Sequence, residues 1–131
     1  MNIFFKYIKD ISDRRLNYGR SIITNFAQII NYDPKNVLDI GCGMGFDLQN
    51  IKKIFPNIDL YGIDNDFGEK IEFLKQNENG IRVLNCDIEE NDIAFNDEKF
   101  DIVISNQTIE HCKNVHHIIS ECVRVLKNTH R

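Results

Sequence analysis

Short apolar runs alternate with segments of helical periodicity along most of this 131-residue chain. The predicted strands are residues 37–40, 58–63, 81–86 and 100–105. Strands separated by helices of about ten or more residues pair in parallel through right-handed crossovers. Because these strands are apolar on both faces, the sheet needs helices on each side. The pattern therefore predicts an α/β fold with a doubly wound, mostly parallel sheet.

Helices are predicted before and between these strands. Apolar residues in the segment 12–31 recur with the 3.6-residue period of a helix, and Pro34 ends it because proline disfavours a helical residue before it. The same spacing predicts helices marked by Leu48, Ile51 and Phe55, by Phe67, Ile71 and Leu74, and by Val115, Ile118, Ile119, Cys122, Val123 and Leu126. The chain therefore divides into an N-terminal helical segment, residues 1–34, and a sheet-containing domain, residues 35–131.

The composition is that of a globular protein, with 42% apolar and 27% charged residues. A net charge of −4 without long runs of one sign argues against a nucleic-acid partner. No apolar stretch reaches the roughly 18 residues of a membrane span, and the N-terminus lacks the features of a signal peptide. We therefore expect a cytoplasmic protein without a membrane span.

The four cysteines form no C-x-x-C pair, so we expect reduced thiols and no disulfide framework. A zinc site is conceivable around residues 111–117, where Cys112 and His116 would share one helix face. Structural zinc, however, usually takes two short-spaced ligand pairs on separate turns. We therefore predict no metal site.

Polar residues and glycines collect where the predicted strands end, which is the edge at which open α/β sheets bind ligands. These residues are Gly41, Gly43 and Gly45 after the first strand, Asp64 at the end of the second, Asp87 at the end of the third and Asn106 after the fourth. Glycines let a ligand approach the backbone closely, and an acid after the second strand can accept both hydroxyls of a ribose. Asp87 could meet the amino group of a heterocycle.

Each of these features also has a purely structural explanation. A glycine trio forms tight turns, and Asp64 or Asp87 alone could be a helix cap or a solvated loop acid. Asp39 lies within an apolar strand, where a carboxylate needs backbone amides or a ligand amine as its partner. The coincidence of the features at three strand ends favours a nucleotide-type site.

Three ordered segments resemble the first three motifs of class I S-adenosylmethionine-dependent methyltransferases: VLDIGCGMG at 37–45, LYGID at 60–64 and NCDI at 85–88. Residues 93–103 and 105–111 are similar to the fourth-strand region of the small-molecule, type 11 branch. The resemblance covers about residues 35–127. It implies a Rossmann-like methyltransferase fold, S-adenosylmethionine as cofactor and a small-molecule acceptor.

The resemblance also implies roles for individual residues. The implied cofactor-binding residues are Asp39, Gly41, Gly43 and Asn106 toward the methionine moiety, Asp64 toward the ribose, and Asp87 and Ile88 toward the adenine. Gly45 and Asn65 are also expected to bind the cofactor. Glu110 and His111 would lie near the acceptor, and His111 is the candidate catalytic base for an acceptor hydroxyl or amine. A structural cap at the start of the last helix is the alternative for His111.

Two further alternatives stay open. A nicotinamide-dependent oxidoreductase is disfavoured because its Gly-x-Gly-x-x-Gly motif needs glycine where this chain has Phe46. The family's sheet has seven strands in the order 3-2-1-4-5-7-6, so the resemblance leads us to expect a C-terminally incomplete fold. A non-catalytic cofactor-binding or partner-binding domain is therefore the second alternative. We also expect residues 100–105 to be an exposed edge strand, so that the isolated chain pairs with a second copy through it, aggregates or is only marginally stable.

Overall fold

The structure is a computed structural model that describes residues 33–65 and 80–128. Its strands are β1 (Asn36–Ile40), β2 (Asp59–Asp64), β3 (Ile81–Asn85) and β4 (Ile102–Ile104). Its helices are α1 (Phe46–Ile54), α2 (Val115–Val125) and a 3₁₀ turn at Ile109–His111. The helices predicted at 12–31 and around Phe67, Ile71 and Leu74 lie outside the described residues, as does nearly all of the predicted segment 1–34.

The four strands form one parallel sheet in the order β3-β2-β1-β4, which confirms the predicted fold class. β1 pairs with β2 on one side and with β4 on the other, so the strand order reverses between β1 and β4. Ile40 lies opposite Ile63, and Asp64 lies opposite Asn85, so β1, β2 and β3 end at one edge. A reversal of strand order at this edge is where such sheets bind ligands.

Alternating side chains of the strands feed two apolar clusters, one on each face of the sheet. Leu38, Ile40, Tyr61 and Ile63 pack on one face with Phe100, Ile118 and Val125. Val37 and Leu60 pack on the other face with Leu48, Ile51 and Ile58. Because α2 covers the first face and α1 the second, the sheet is doubly wound, as the apolar strands required.

The fourth strand is shorter than the predicted range 100–105. Phe100 forms a parallel bridge outward to Leu126 instead of continuing β4. Asp101 then donates its N–H to the Asn36 carbonyl at 2.9 Å, and its carboxylate accepts the N–H groups of Lys35 and Asn36 at 2.9 and 2.8 Å. The chain therefore changes partner at Phe100 and Asp101, which leaves Ile102–Ile104 as the regular strand.

The outer edge of the predicted fourth strand is partly paired. The Phe100 N–H donates to the Val125 carbonyl at 2.9 Å, and the Lys127 N–H donates to the Phe100 carbonyl at 2.8 Å. The prediction of a wholly unpaired edge is therefore wrong at Phe100, because the chain leaving α2 runs back alongside it. Within the described part of the chain, Ile102–Ile104 pairs with β1 alone.

Helix α2 carries more apolar surface than the sheet covers. Ile118 and Val125 are fully buried against the sheet, whereas Ile119 and Val123 are 50% and 67% exposed. Glu121, a charged residue, is 8% exposed on the packed side. The predicted apolar face is thus only partly buried. None of the helices in residues 33–65 and 80–128 is long and apolar enough to cross a bilayer.

Glu121 forms an ion pair with Arg124 that fixes the loop before β4. Arg124 Nε and Nη2 donate to the two Glu121 oxygens at 2.8 and 2.7 Å. Arg124 also donates to the carbonyls of Ile93 and Phe95, and Glu121 accepts the Ile93 N–H at 2.8 Å. The hydrogen bonds from Arg124 lower the pKa of the Glu121 carboxyl. This pair therefore orders a loop that has no regular secondary structure.

We expect Arg124→Ala to lower the free energy of unfolding by about 2–4 kcal/mol, because it takes the charged donor away from the buried Glu121 carboxylate and one donor from each of the Ile93 and Phe95 carbonyls. Urea unfolding followed by circular dichroism measures the change. Lys53→Ala, which removes an exposed cation from α1, is the control and should stay within about 0.5 kcal/mol of the parent chain. A similarly small effect for Arg124→Ala would contradict this role.

Candidate functional site

A cavity of about 340 Å³ opens where β1, β2 and β3 end. The described residues that line it are Gly41, Gly43, Asp64, Asn65, Cys86, Asp87, Ile88, Glu89, Gln107, Thr108, His111 and Cys112. Six of the predicted cofactor-binding residues and the candidate base are among them. The structure therefore brings together residues from the loops that follow β1, β2, β3 and β4, as their positions at the strand ends predicted.

The glycine loop after β1 is held by the end of β2. The N–H groups of Gly41 and Cys42 both donate to the Ile63 carbonyl, at 2.8 and 2.9 Å. The Gly43 N–H donates to Asp64 Oδ2 at 2.7 Å. Asp64 thus binds the loop with one oxygen and also lines the cavity.

Gly41 and Gly43 both need positive φ angles, +75° and +50°, but their surroundings differ. A Cβ atom on Gly41 would lie 2.1 Å from Thr108 Oγ1, so Gly41 is required by packing within the protein. A Cβ atom on Gly43 would meet nothing within 4 Å. Since Gly43 lines the cavity, the space beside it is available to a ligand.

A second cavity of about 290 Å³ adjoins the first across the glycine loop. Its described lining residues are Gly41, Cys42, Gly43, Met44, Phe46, Asp47, Asn106 and Gln107. The predicted residue Asn106 lies here and donates from Nδ2 to Asp47 Oδ2 at 3.2 Å. The two cavities share Gly41, Gly43 and Gln107, so one extended ligand could occupy both.

Two of the predicted cofactor-binding residues lie outside the walls of both cavities. Gly45 is buried at the start of α1, with φ of 74°. Asp39 is 3% exposed, and burial together with the charges of Asp47 and Asp64 raises the pKa of its carboxyl well above the usual value. The sequence analysis offered backbone amides or a ligand amine as the partner of Asp39. Among the described residues no backbone amide donates to the Asp39 carboxylate.

The chain between β4 and α2 forms a further part of the cavity wall and packs against the glycine loop. Gln107 adopts a positive φ of 56°, which is uncommon for a residue other than glycine. His111 ends the 3₁₀ turn, is exposed, and lines the first cavity. Helix α2 begins only at Val115 after Asn114, so the alternative of His111 as the cap of that helix is wrong. Glu110 is exposed and is not among the described lining residues.

Glu89 joins the two sides of the first cavity, and the sequence analysis missed it. Its carboxylate accepts the backbone N–H groups of Lys113 and Asn114, the latter at 2.9 Å, and Asn114 Nδ2 donates to the Glu89 carbonyl at 3.0 Å. These backbone hydrogen bonds lower the pKa of the Glu89 carboxyl. The loop after β3 is thus tied to the start of α2 by a contact between residues 25 positions apart.

Cys86, Gln107, Thr108 and Cys112 were also not predicted as lining residues. Burial is the main cause that raises the pKa of the Cys86 and Cys112 thiols, so both stay protonated and serve as apolar wall. Gln107 and Thr108 belong to the loop after β4, whose neighbours Asn106 and His111 were predicted. Because Gln107 and Thr108 lie between Asn106 and His111 in the sequence, they could have been predicted as lining residues on that ground.

The charge of the lining residues restricts the ligand. The first cavity carries Asp64, Asp87 and Glu89, and the second carries Asp47. None of the described lining residues of either cavity is Lys or Arg. Across residues 33–65 and 80–128, no three His, Cys, Asp or Glu side chains are grouped as metal ligands. The site therefore suits a cationic ligand with hydroxyl groups better than a pyrophosphate.

A doubly wound parallel sheet with a cavity at its strand ends is the arrangement of a Rossmann-like fold. Residues 38–129 match the family described as "Methyltransferase domain". The chain belongs to this family, the class I S-adenosylmethionine-dependent methyltransferases, which confirms the resemblance seen in the sequence. The cofactor of the family is S-adenosylmethionine.

Similar proteins agree with this assignment. The malonyl-[acyl-carrier protein] O-methyltransferase of Priestia megaterium is 32% identical over 70% of this chain and 32% of its own length. A crystal structure described as an S-adenosyl-L-methionine-dependent methyltransferase from Methanococcus maripaludis superimposes with a TM-score of 0.73, 20% identity and coverage of 94% of this chain and 57% of that one. The plantazolicin methyltransferase BpumL, in complex with a desmethylPZN analog and SAH, has a TM-score of 0.69 at 22% identity, over 94% of this chain and 49% of its own. The chain spans about a third of the length of the first curated relatives.

Gly43→Ala should weaken binding of S-adenosylhomocysteine (SAH) at least about tenfold, because the methyl group fills space beside the cavity. Gly80→Ala is the matched control: Gly80 also has a positive φ, +76°, and its Cβ would have only Lys52 Nζ near it, at 3.7 Å. Both variants bear the strain of a positive φ, about 1–2 kcal/mol. Calorimetry and thermal melting should therefore separate them in affinity but not in stability. Normal SAH binding by Gly43→Ala would contradict the assignment of this space to the ligand.

Proposed function

We propose that this chain binds S-adenosylmethionine across the two adjoining cavities and transfers its methyl group to a small-molecule acceptor. The observation that carries the proposal is the double position of Asp64. Its carboxylate holds the glycine loop through Gly43 and lies at the cavity wall with Asn65, at the end of β2. An acid at this position can accept the hydroxyl hydrogens of a ribose.

The residues present fit the cofactor. Asp64 and Asn65 would bind the ribose, while Asp87 and Ile88 would contact the adenine between the apolar thiols of Cys86 and Cys112. The methionine moiety would lie in the second cavity beside Gly41, Gly43 and Asn106. When bound, the cofactor supplies a methyl group on a sulfonium cation. The acidic walls favour this positive charge, and the space beside Gly43 admits the ligand.

The acceptor would enter against the wall formed by Gln107, Thr108 and His111. Methyl transfer needs chiefly that the acceptor atom be held in line with the methyl group and that water be excluded. His111 would take the proton released by an acceptor hydroxyl or amine. The names of the relatives point to different acceptors, a malonyl-[acyl-carrier protein] in one and a desmethylPZN analog in another. They support a small-molecule or carrier-bound acceptor without narrowing it further.

Asp64→Ala should weaken SAH binding at least about tenfold, because each lost hydrogen bond to the carboxylate contributes roughly 1.5–3 kcal/mol. Calorimetry with the purified chain measures this. Asp59→Asn removes a negative charge at the opposite, exposed end of the same strand and is the control, with unchanged affinity. Equal affinities for all three proteins would show that Asp64 is only a loop acid.

The same preparations test catalysis. Parent chain incubated with methyl-labelled cofactor and a small-molecule extract should transfer label, and Asp64→Ala should transfer far less. SAH binding without label transfer would support the alternative of a non-catalytic cofactor-binding domain. Failure to bind SAH would contradict the proposal as a whole.

We further propose a cytoplasmic location and no nucleic-acid partner. The four cysteines, Cys42, Cys86, Cys112 and Cys122, are all free thiols, which fits a reducing compartment. The net charge of −4 does not favour binding to phosphate backbones.

We also propose that two copies of the chain associate through the outer edge of β4. Ile102–Ile104 pairs only with β1 among the described residues, and the exposed Ile119 and Val123 lie on the neighbouring helix α2. An open strand edge beside an apolar surface is prone to pairing with another chain.

Sedimentation should therefore give a dimer at micromolar concentration, and Val123→Lys should shift it toward monomer by burying a charge in the interface. Ser120→Lys adds the same charge at another exposed position of α2 and serves as the control. A parent chain that is monomeric and melts cooperatively would contradict this association.

A further inference from the structure

Residues 87–91, which follow β3, form a compact turn held together by Asp87. The Glu89 N–H donates to Asp87 Oδ1 at 3.0 Å, and the Asn91 N–H donates to the Asp87 carbonyl at 2.9 Å. The side-chain amide of Asn91 donates to the same carbonyl at 3.1 Å. Asp87, Ile88 and Glu89 also line the first cavity. A ligand that contacts one of these three residues therefore contacts a turn whose members are bonded to one another.

This turn is joined to the start of α2 at two points. The Glu89 carboxylate accepts the N–H groups of Lys113 and Asn114, the two residues just before the helix. His117 Nε2, in the first helical turn, lies 3.2 Å from the Asn91 carbonyl oxygen, to which it donates. Within the described part of the chain, Asn114 makes no side-chain cap hydrogen bond for α2. Because an acid is favoured at the positive end of a helix dipole, Glu89 stabilises the start of α2 from another segment.

The core of the protein does not depend on the Glu89 carboxylate. Ile88 and Ile93 are 9% and 2% exposed, so their burial anchors the chain on both sides of Glu89. The hydrogen bonds of the carboxylate itself lie at the surface, where replacing a side chain usually changes global stability little. The location of these bonds matters instead, because Glu89 and His111 line the same cavity from different loops. Glu89 thus connects the cofactor side of the cavity to the segment that carries the candidate base.

We propose that Glu89 is a positioning residue that couples binding of the cofactor to the order of the acceptor side of the site. A ligand that packs on Asp87 and Ile88 restricts the turn, and the Glu89 hydrogen bonds transmit this restriction to residues 113–118. These residues follow His111 directly in the chain, so the candidate base is ordered with them. Two segments that order each other bind their ligands cooperatively, because the first ligand has already met part of the entropic cost of the second. This inference rests on the proposed function, since it needs the adenine of the cofactor to lie against the turn.

Hydrogen exchange of the full chain, measured with and without saturating SAH, tests this coupling. In the parent chain SAH should slow exchange at residues 113–118 about threefold to tenfold, the range expected for strengthening a helix cap. None of these residues is among the described lining residues of either cavity, so the slowing does not come from direct contact. Glu89→Ala should abolish the slowing there and keep it at the glycine loop, residues 41–45. Glu90→Ala removes the same charge from the next, exposed position of the turn and should behave as the parent chain.

Calorimetry establishes that each variant is saturated with SAH, and thermal melting establishes that it is folded. Unchanged slowing at residues 113–118 in Glu89→Ala, an equal loss in Glu90→Ala, or no slowing there in the parent chain would overturn the coupling while the proposed function stands. If the parent chain does not bind SAH, the proposed function fails and this inference fails with it. If Glu89→Ala does not fold, Asn114→Ala, which removes the Nδ2 donor to the Glu89 carbonyl, decides the question by the same comparison.

Discussion

The pairing of β1 with β2 determines the geometry of the whole site. Their parallel register sets Ile40 opposite Ile63, so the chain that leaves β1 passes directly over the end of β2. There the Ile63 carbonyl accepts the N–H groups of both Gly41 and Cys42, and the next side chain, Asp64, accepts that of Gly43. A register shift of one residue would turn the apolar side chains of β2 to the wrong faces and would also remove these bonds. The burial of apolar side chains that fixes the register of β1 and β2 therefore also fixes the hydrogen bonds that hold the glycine loop.

Much of this arrangement could be predicted from the sequence because it follows from one local rule. Apolar runs identify parallel strands, and residues directly after such strands meet at one edge. This rule is enough to predict, without any knowledge of distant contacts, that four of the residues lie together, and the structure brings them to one cavity: Gly41, Gly43, Asp64 and Asp87. Whether each of them contacts the cofactor remains a prediction that the proposed binding experiments test.

The remainder could not be predicted because it depends on polar contacts between distant segments that leave no periodic signal. Glu89 looks like any loop acid until its carboxylate meets the backbone at Asn114. Asp101 is likewise an ordinary strand residue in the sequence, yet its carboxylate accepts the N–H groups of Lys35 and Asn36 where β1 begins. The apolar face of α2 was read correctly as a pattern, but the pattern did not reveal that Glu121 would be buried and Val123 exposed. Composition and spacing indicate which side chains can be buried, whereas the segments that pack against them determine which side chains are buried.

The contact between Gly41 and Thr108 joins the glycine loop to the segment that follows β4. Thr108 Oγ1 lies 3.5 Å from the Gly41 carbonyl oxygen, to which it donates, and it occupies the space that a side chain at position 41 would need. Thr108 belongs to the same short segment as Gln107 and His111, which face the proposed acceptor. Methyl transfer requires the reacting atoms to be aligned at about 3–3.5 Å, so the distance between donor and acceptor walls matters more than any single charge. The absence of a side chain at Gly41 therefore contributes in two ways: it permits the turn after β1, and it lets the segment that contains Thr108 pack directly on the glycine loop, which we propose to hold the donor.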